Sequence, residues 1–346
     1  MSNRFEILEL RFSNVKCFRE DNCIDFRKNV KNDIIEIIEP SGYGKTAIVW
    51  AIAYCLYGKQ LDGRNTAPTF NKRGKRFMCS LMIKKGDNTY LIKRTGTVDY
   101  EDVKVSLYHI KSNKYTNIQN AEYNIQELCG SLTNFLVSSS FITSINELNF
   151  IDMNPIKRNE YLNLAPIAKI NKAANSFLTD QKQNMVIKLV DNANGIKLNI
   201  GGDFDSMYDI RTCSMYEKIV YSLALKYAFM KVLPVTTPNI FIIDVDYRMS
   251  GMICGNEKKF QKMFDQIKQV GTNVMIIHSS EDMQSNNAFK ISISHNRGTS
   301  VVNNVGKIKN EGMYTNNNDG EIEYEDDTES EDNTASESDD TTTESD

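Results

Sequence analysis

The 346 residues, 40% hydrophobic and 10% aromatic, are enough to bury one large core or two modest ones. The net charge of −4 conceals a polarised chain: residues 311–346 hold fifteen of the 45 Asp and Glu and no Lys or Arg, leaving residues 1–310 with 41 Lys and Arg against 30 acids, a balance of +11. No apolar run approaches the roughly 18 residues of a membrane helix, and the seven Cys, at 17, 23, 55, 79, 129, 213 and 254, form no CxxC pair, which argues against a zinc site and a disulfide framework.

The opening stretch, "MSNRFEILELRF", is strand-like and lacks the apolar core of a signal peptide, so an intracellular chain with reduced thiols is expected. "FEILELRF" (5–12) and "CIDF" (23–26) read as strands around a short turn, and "NDIIEII" (32–38) as a buried strand. It runs into "EPSGYGKT" (39–46), then into an all-round apolar helix, "TAIVWAIAYCLYG" (46–58), which must be covered on most sides. Strand, glycine-bearing loop and helix form the setting of a phosphate-binding loop, with Gly44, Lys45 and Thr46 in place but Glu39 where the pattern asks for Gly. In that reading the backbone N–H groups of Gly42, Tyr43, Gly44, Lys45 and Thr46, with Ser41, cradle phosphate at the helix N-terminus. Lys45 reaches the β/γ oxygens of ATP and Thr46 ligates Mg2+. A Glu39 carboxylate aimed at the phosphate from ~5 Å would cost about 3 kcal/mol, and one aimed elsewhere far less.

Residues 61–76 form a basic connection with Lys72, Arg73, Lys75 and Arg76. "FMCSLMI", "TYLIKR" and "VKVSLYHI", separated by turn signals, read as an antiparallel meander. Residues 121–131 and 155–182 are helical in character, and 185–200 form a hairpin with Asn194-Gly195 at the turn. A second α/β portion follows: helix 214–233, the apolar strand "NIFIID" (239–244), helix 257–269, "NVMIIH" (273–278) and "FKISIS" (289–294). Asp244, at the end of its apolar strand, is a candidate second Mg2+ ligand, and His278, at the tip of the next strand, a candidate γ-phosphate sensor. Beyond about residue 310 the composition cannot bury enough apolar area to order itself, and an acidic disordered tail is expected.

Taken together, "FSNVKCF", "EPSGYGKTAIVWAIAYCLYG", "YLIKR" with Arg94, "SFITSINELNFIDMNPIKRNEYL" and "CSMYEKIVYSLALKYAF" occur in the order of the SMC-like ABC ATPase heads, and the chain resembles the SbcC type of that family over about residues 5–295. The resemblance implies an α/β fold, a P-loop NTPase of ABC-ATPase head type with a mixed sheet, helices and an antiparallel β lobe. It implies one head over residues 1–310, lobe I to about 165 and lobe II from about 185, joined by a short helical connection. It further implies ATP with Mg2+, DNA as a partner in repair or recombination, an SbcD-like nuclease subunit, and an ATP-dependent homodimer. A phage- or virus-encoded protein fits the minimal head.

The departures from that family bear on catalysis. The Q-loop glutamine falls at Ser144. The signature reads Cys213-Ser214-Met215-Tyr216-Glu217, keeping Ser214 and Glu217 but neither glycine. The catalytic glutamate position is Val245, and Asp246, one residue on, serves as base only if the strand ends early. The coiled coil and its zinc hook are absent. Three readings stay open: a slow ATP-hydrolysing head, a non-hydrolysing scaffold that binds DNA or a nuclease, and a structural protein with no nucleotide at all. DNA contact is expected at Lys72, Arg73, Lys75, Arg76, Lys84, Lys85 and Lys93, falling steeply with salt. The acidic tail either competes with DNA for that face or only keeps the chain soluble.

Overall fold

The computed structural model describes residues 3–19, 21–29, 34–62, 76–97, 103–142, 150–162, 166–181, 184–202, 207–209, 212–245, 251–253, 255–279, 288–296 and 299–303. The expected acidic tail, Ser144, Asp246 and the Lys72, Arg73 and Lys75 group lie outside them.

In chain order the strands and helices of the first half are β1 (Arg4–Ser13), β2 (Asn22–Asp25), β3 (Ile34–Ile38), α1 (Lys45–Tyr57), β4 (Arg76–Lys85), β5 (Asn88–Thr97), β6 (Lys104–Lys111), β7 (Lys114–Ile118), α2 (Ala121–Cys129), a short α3 (Leu132–Asn134) that runs into a π turn at Phe135–Ser139, and β8 (Ser140–Ile142). The second half adds α4 (Pro155–Leu162), α5 (Ile167–Asp180), β9 (Val186–Asn192), β10 (Gly195–Gly201), β11 (Met207–Asp209), α6 (Met215–Val232), β12 (Thr237–Pro238), β13 (Ile240–Asp244), α7 (Glu257–Lys268), β14 (Asn273–His278), β15 (Phe289–Asn296) and β16 (Thr299–Asn303).

Among the described residues these strands build a sheet ordered β12-β1-β4-β5-β6-β7, antiparallel except for the parallel β12–β1 pair, with β2 on β1, a three-stranded sheet β11-β10-β9, and a mixed sheet β16-β15-β3-β14-β13-β8. In the mixed sheet β8, β13, β14, β3 and β15 run parallel, and only β16 turns back. A parallel sheet needs cover on both faces. Alternation along the strands supplies it: Ile35, Ile37, Ile240, Ile242, Met275 and Ile277 join one core with α1 and the antiparallel sheet. Phe241, Ile243, Val245, Val274 and Ile276 join a second core with α5, α6 and the β9–β10 hairpin. Helix α1 is therefore buried nearly all round, as its composition predicts.

Buried polar side chains lock the helices to the sheets. Arg94 on β5 is 1% exposed; its Nε donates to the Cys55 carbonyl near the end of α1, and its Nη1 and Nη2 to the Glu122 carboxylate on α2. On α5, Asn171 and Asn175, one turn apart, each exchange two hydrogen bonds with the β9 backbone, at Leu189 and Ile187. The helix thereby caps the free edge of that strand, which would otherwise present unpaired backbone groups. The turn joining β9 to β10 is Ala193-Asn194, one residue earlier than expected, and Gly195 is needed at its exit because a Cβ there would meet the Pro155 carbonyl oxygen at 2.4 Å. Strand β7 escaped the sequence reading: "KYTNI" is a short, polar, mostly exposed edge strand with no apolar alternation to mark it.

Lys226, in the middle of α6, is 2% exposed and donates to the carbonyls of Leu136 and Val137 in the π turn that feeds β8. Removal from water pushes its amine down to about 7, with Asp152 acting weakly the other way. A folded-state pKa below the unfolded one makes the charged amine costly at pH 7 and below. Stability therefore rises as pH climbs from about 7 toward the ordinary lysine range, by at most about 1.4 kcal/mol per pH unit. Urea midpoints between pH 7 and 9.5 should rise more steeply for the wild type than for Lys226→Met, and parallel profiles would contradict this role.

Candidate nucleotide site

The loop between β3 and α1 is built by two glycines in left-handed backbone, Gly42 at φ 92° and Gly44 at φ 91°. Gly44 also answers a close approach: a Cβ on it would lie 2.2 Å from the Cys17 Sγ and 3.0 Å from the Phe18 ring, whereas one on Gly42 would meet nothing within 4 Å. Gly44 is the N-cap of α1 and contributes no side-chain acceptor, its carbonyl taking only the Ala47 N–H at 2.9 Å, so no side chain caps the start of the helix. That is the donor arrangement an anion requires at a helix N-terminus.

Lys45, 9% exposed, folds back over the loop, its Nζ donating to the carbonyls of Glu39 at 2.5 Å and Pro40 at 2.9 Å. Burial holds its amine below the usual lysine range, opposed by the charges of Asp244 and then Glu39. Asp244, 7% exposed, ends β13 and pairs in register with Ile277 of β14. Alternation places it on the α1 side with Ile240 and Ile242. The loop's backbone amides, Lys45 and Asp244 thus share one edge of the mixed sheet, a donor set and a carboxylate whose chemistry fits a phosphate and a divalent cation. Ser41 and Gly42 are exposed, while Tyr43, Gly44 and Thr46 are half-buried.

The Glu39 carboxylate is not aimed at this space. Its Oε1 accepts the Ile293 N–H of β15 at 2.8 Å, which engages the carboxylate with that strand, while its charge still acts on the Lys45 amine. His278 ends β14 fully buried, in register with Ile38, and its carbonyl accepts the Glu39 N–H at 3.4 Å. Val245 takes the opposite side from Asp244, 5% exposed in the second core, with its N–H on the Ile277 carbonyl.

Ser214 and Glu217 stand at the N-terminus of α6 as a capping box: the Ser214 Oγ accepts the Glu217 N–H, and the Glu217 carboxylate accepts the Ser214 N–H and hydroxyl. These bonds keep the Glu217 carboxyl below its usual range. Met215 beside them is 52% exposed. Of the basic residues expected on DNA, Arg76 and Lys84 are exposed and Lys93 half-buried. Lys85 is otherwise engaged, its Nζ closing the last carbonyls of α2 at Glu127 and Leu128. The sequence reading missed Cys17 and His295, which border the loop; nothing local marks either, since Cys17 arrives from the turn after β1 and His295 from β15.

Comparison with known proteins bears on the family and the fold. A family model described as an AAA domain matches residues 9–200. Over 184 residues, 49% of this chain, the sequence is 34% identical to uncharacterized protein R555 of Acanthamoeba polyphaga mimivirus, and covers 13% of that protein. Over 136 residues, 39% of this chain, it is 32% identical to uncharacterized protein 050L of Invertebrate iridescent virus 6, and covers 11% of it. The chain therefore spans about an eighth or less of the length of these relatives. The fold is similar to an SMC head bound to the C-winged helix domain of ScpA, with TM-score 0.63, 16% identity, and coverage of 86% of this chain and 97% of that one. It is also similar to the SMC head domain from Thermotoga maritima, with TM-score 0.51, 15% identity, and coverage of 86% and 98%. A third likeness is to the recombination mediator RecF with ATP, with TM-score 0.53, 12% identity, and coverage of 86% and 99%. The chain belongs to the AAA-domain family, and its fold is that of the P-loop ABC-ATPase heads of SMC proteins and RecF.

Proposed function

We propose that the chain is an ATP-binding head acting on DNA in repair or recombination, with impaired hydrolysis. The observation that carries the binding part is the shared sheet edge of Lys45, the uncapped α1 N-terminus and Asp244. Lys45 would leave the loop carbonyls for the β/γ oxygens of ATP, the backbone amides of Gly42 to Thr46 with Ser41 would hold the phosphates, and Thr46 and Asp244 would hold Mg2+. His278 and Asp246 are the candidate groups near the γ-phosphate, with Ser144 on the Q-loop. Ser214 and Glu217 complete a second copy's site in an ATP-dependent homodimer. One head spans residues 1–310, lobe I to about 165 and lobe II from about 185, with an acidic tail beyond. An SbcC-like role with an SbcD-like nuclease subunit, inside a virus-infected cell, follows from the resemblance in motif order.

Impaired hydrolysis is supported by Val245, packed in the second core where a general base would stand. Loss of a general base costs on the order of 10² to 10⁴ in rate. A turnover assay with DNA should show ATP hydrolysis about 10² to 10⁴ below that of an intact head of this type, abolished in Lys45→Ala. Rapid Lys45-dependent turnover would overturn the impairment. Wild-type turnover no higher than that of Lys45→Ala would move the reading to the non-hydrolysing scaffold.

For DNA, the even-numbered residues of β4 supply the geometry. Arg76 and Lys84 share one face of the antiparallel sheet with Lys93, opposite Ser80, and with Lys104, opposite Thr95. Helices α1 and α2 pack on the other face, where Lys85 caps α2. Lys84→Glu and Lys93→Glu should each weaken DNA binding uniformly across sequences and lower the salt slope by about 1. Lys85→Gln should leave the slope unchanged. A slope indifferent to Lys84 and Lys93 would remove this face from the account.

A further inference from the structure

Two residues of the 39–46 loop turn toward the same strand: Glu39, which stands where the pattern asks for Gly, and Tyr43, at a position the pattern leaves open. Glu39 Oε1 accepts the Ile293 N–H at 2.8 Å. This adds one rung beyond the β3–β15 ladder, whose last backbone pair is Ile37 with Ile291. The Tyr43 ring lies 5.1 Å from the His295 ring, tilted by 40°. His295 is fixed in turn by Ser300, its cross-strand partner on β16, with Nδ1 and Oγ 2.9 Å apart. Ser300, fully buried, donates its N–H to the Cys17 carbonyl at 2.8 Å. The Cys17 Sγ closes the circuit against the Tyr43 carbonyl at 4.0 Å, under Gly44.

We propose that the β15–β16 hairpin is a strap that holds the phosphate loop in its receptive shape before any nucleotide arrives, with Glu39 and Tyr43 as positioning residues. A loop with glycines at two of its positions has much freedom to lose on ordering. Contacts that order it beforehand remove that cost from the binding step. The same hydrogen bond directs a carboxylate away from the phosphate position, which explains how a loop of this kind carries Glu in place of Gly.

The role in ATP affinity rests on the nucleotide reading above; the strap itself is read without nucleotide. Hydrogen exchange on the full chain, free of ATP, should show the Ile293 and Ala47 amides exchanging about tenfold faster in Glu39→Gly, the effect of one lost hydrogen bond to a charged acceptor. Glu39→Gln keeps the accepting oxygen and should exchange like the wild type. Tyr43→Ser should also quicken exchange at Ile293, although Tyr43 makes no hydrogen bond there, because the two contacts hold one strand. Each variant disturbing only its own contact, or Glu39→Gln behaving as Glu39→Gly, would overturn the strap. A parallel Mg2+-ATP titration should find Glu39→Gly binding several-fold more weakly than the wild type, and tighter binding would show that Glu39 repels phosphate instead. Lys45→Ala binding ATP as the wild type does would defeat the nucleotide reading, while the exchange data would still decide the strap.

Discussion

Parallel pairing of β3 with β14, and of β14 with β13, is the constraint on which the site depends. It brings the loop after Ile38, the carboxylate of Asp244 and the end of β14 at His278 to one sheet edge, although they lie far apart in the chain. The pairing persists because both faces of the sheet are covered, one by α1 and the antiparallel sheet, the other by α5 and α6. Without α1 in place neither Lys45 nor the first-turn amides would have a fixed position. Arg94 secures the far end of that helix by tying its last turn to β5 and α2.

The same alternation that builds the two cores also separates the groups suited to binding from the position that catalysis would use. Asp244 falls on the α1 side and Val245 on the other. A single residue step along the strand therefore decides between a group that can hold a cation and one that only fills volume. The Ser214–Glu217 pair shows a comparable division. Its polar atoms are occupied with capping α6, a task that stands whether or not a second chain ever meets Ser214. Capping of this kind is worth about 1 kcal/mol, enough to keep both residues without a catalytic reason.

Much of this was legible in the sequence where the signal is local. The β-branched run before the loop, Gly44-Lys45-Thr46, the all-round apolar helix and the acid ending "IFIID" each announce their element within a few residues. The direction of Glu39 was not legible, because its partner is Ile293, 254 positions away, and the sequence shows only a charge where a glycine was expected. Lys226 reads as a polar interruption of an apolar helix, and only the packed structure reveals the two carbonyls of the π turn that hold it. Lys84 and Lys85 read alike as surface lysines, yet strand alternation sends one outward and the other to the end of α2. Asn171 and Asn175 give no sign that they seal a strand edge, since the edge is formed by a hairpin later in the chain.

The central claim, a phosphate loop that still grips nucleotide although the groups for rapid hydrolysis are displaced, is met most directly by a calorimetric titration of Mg2+-ATP into the wild-type chain. The account predicts saturable binding of one ATP per chain that is lost with Lys45→Ala and weakened when Mg2+ is withheld. No saturable heat up to millimolar ATP would contradict it.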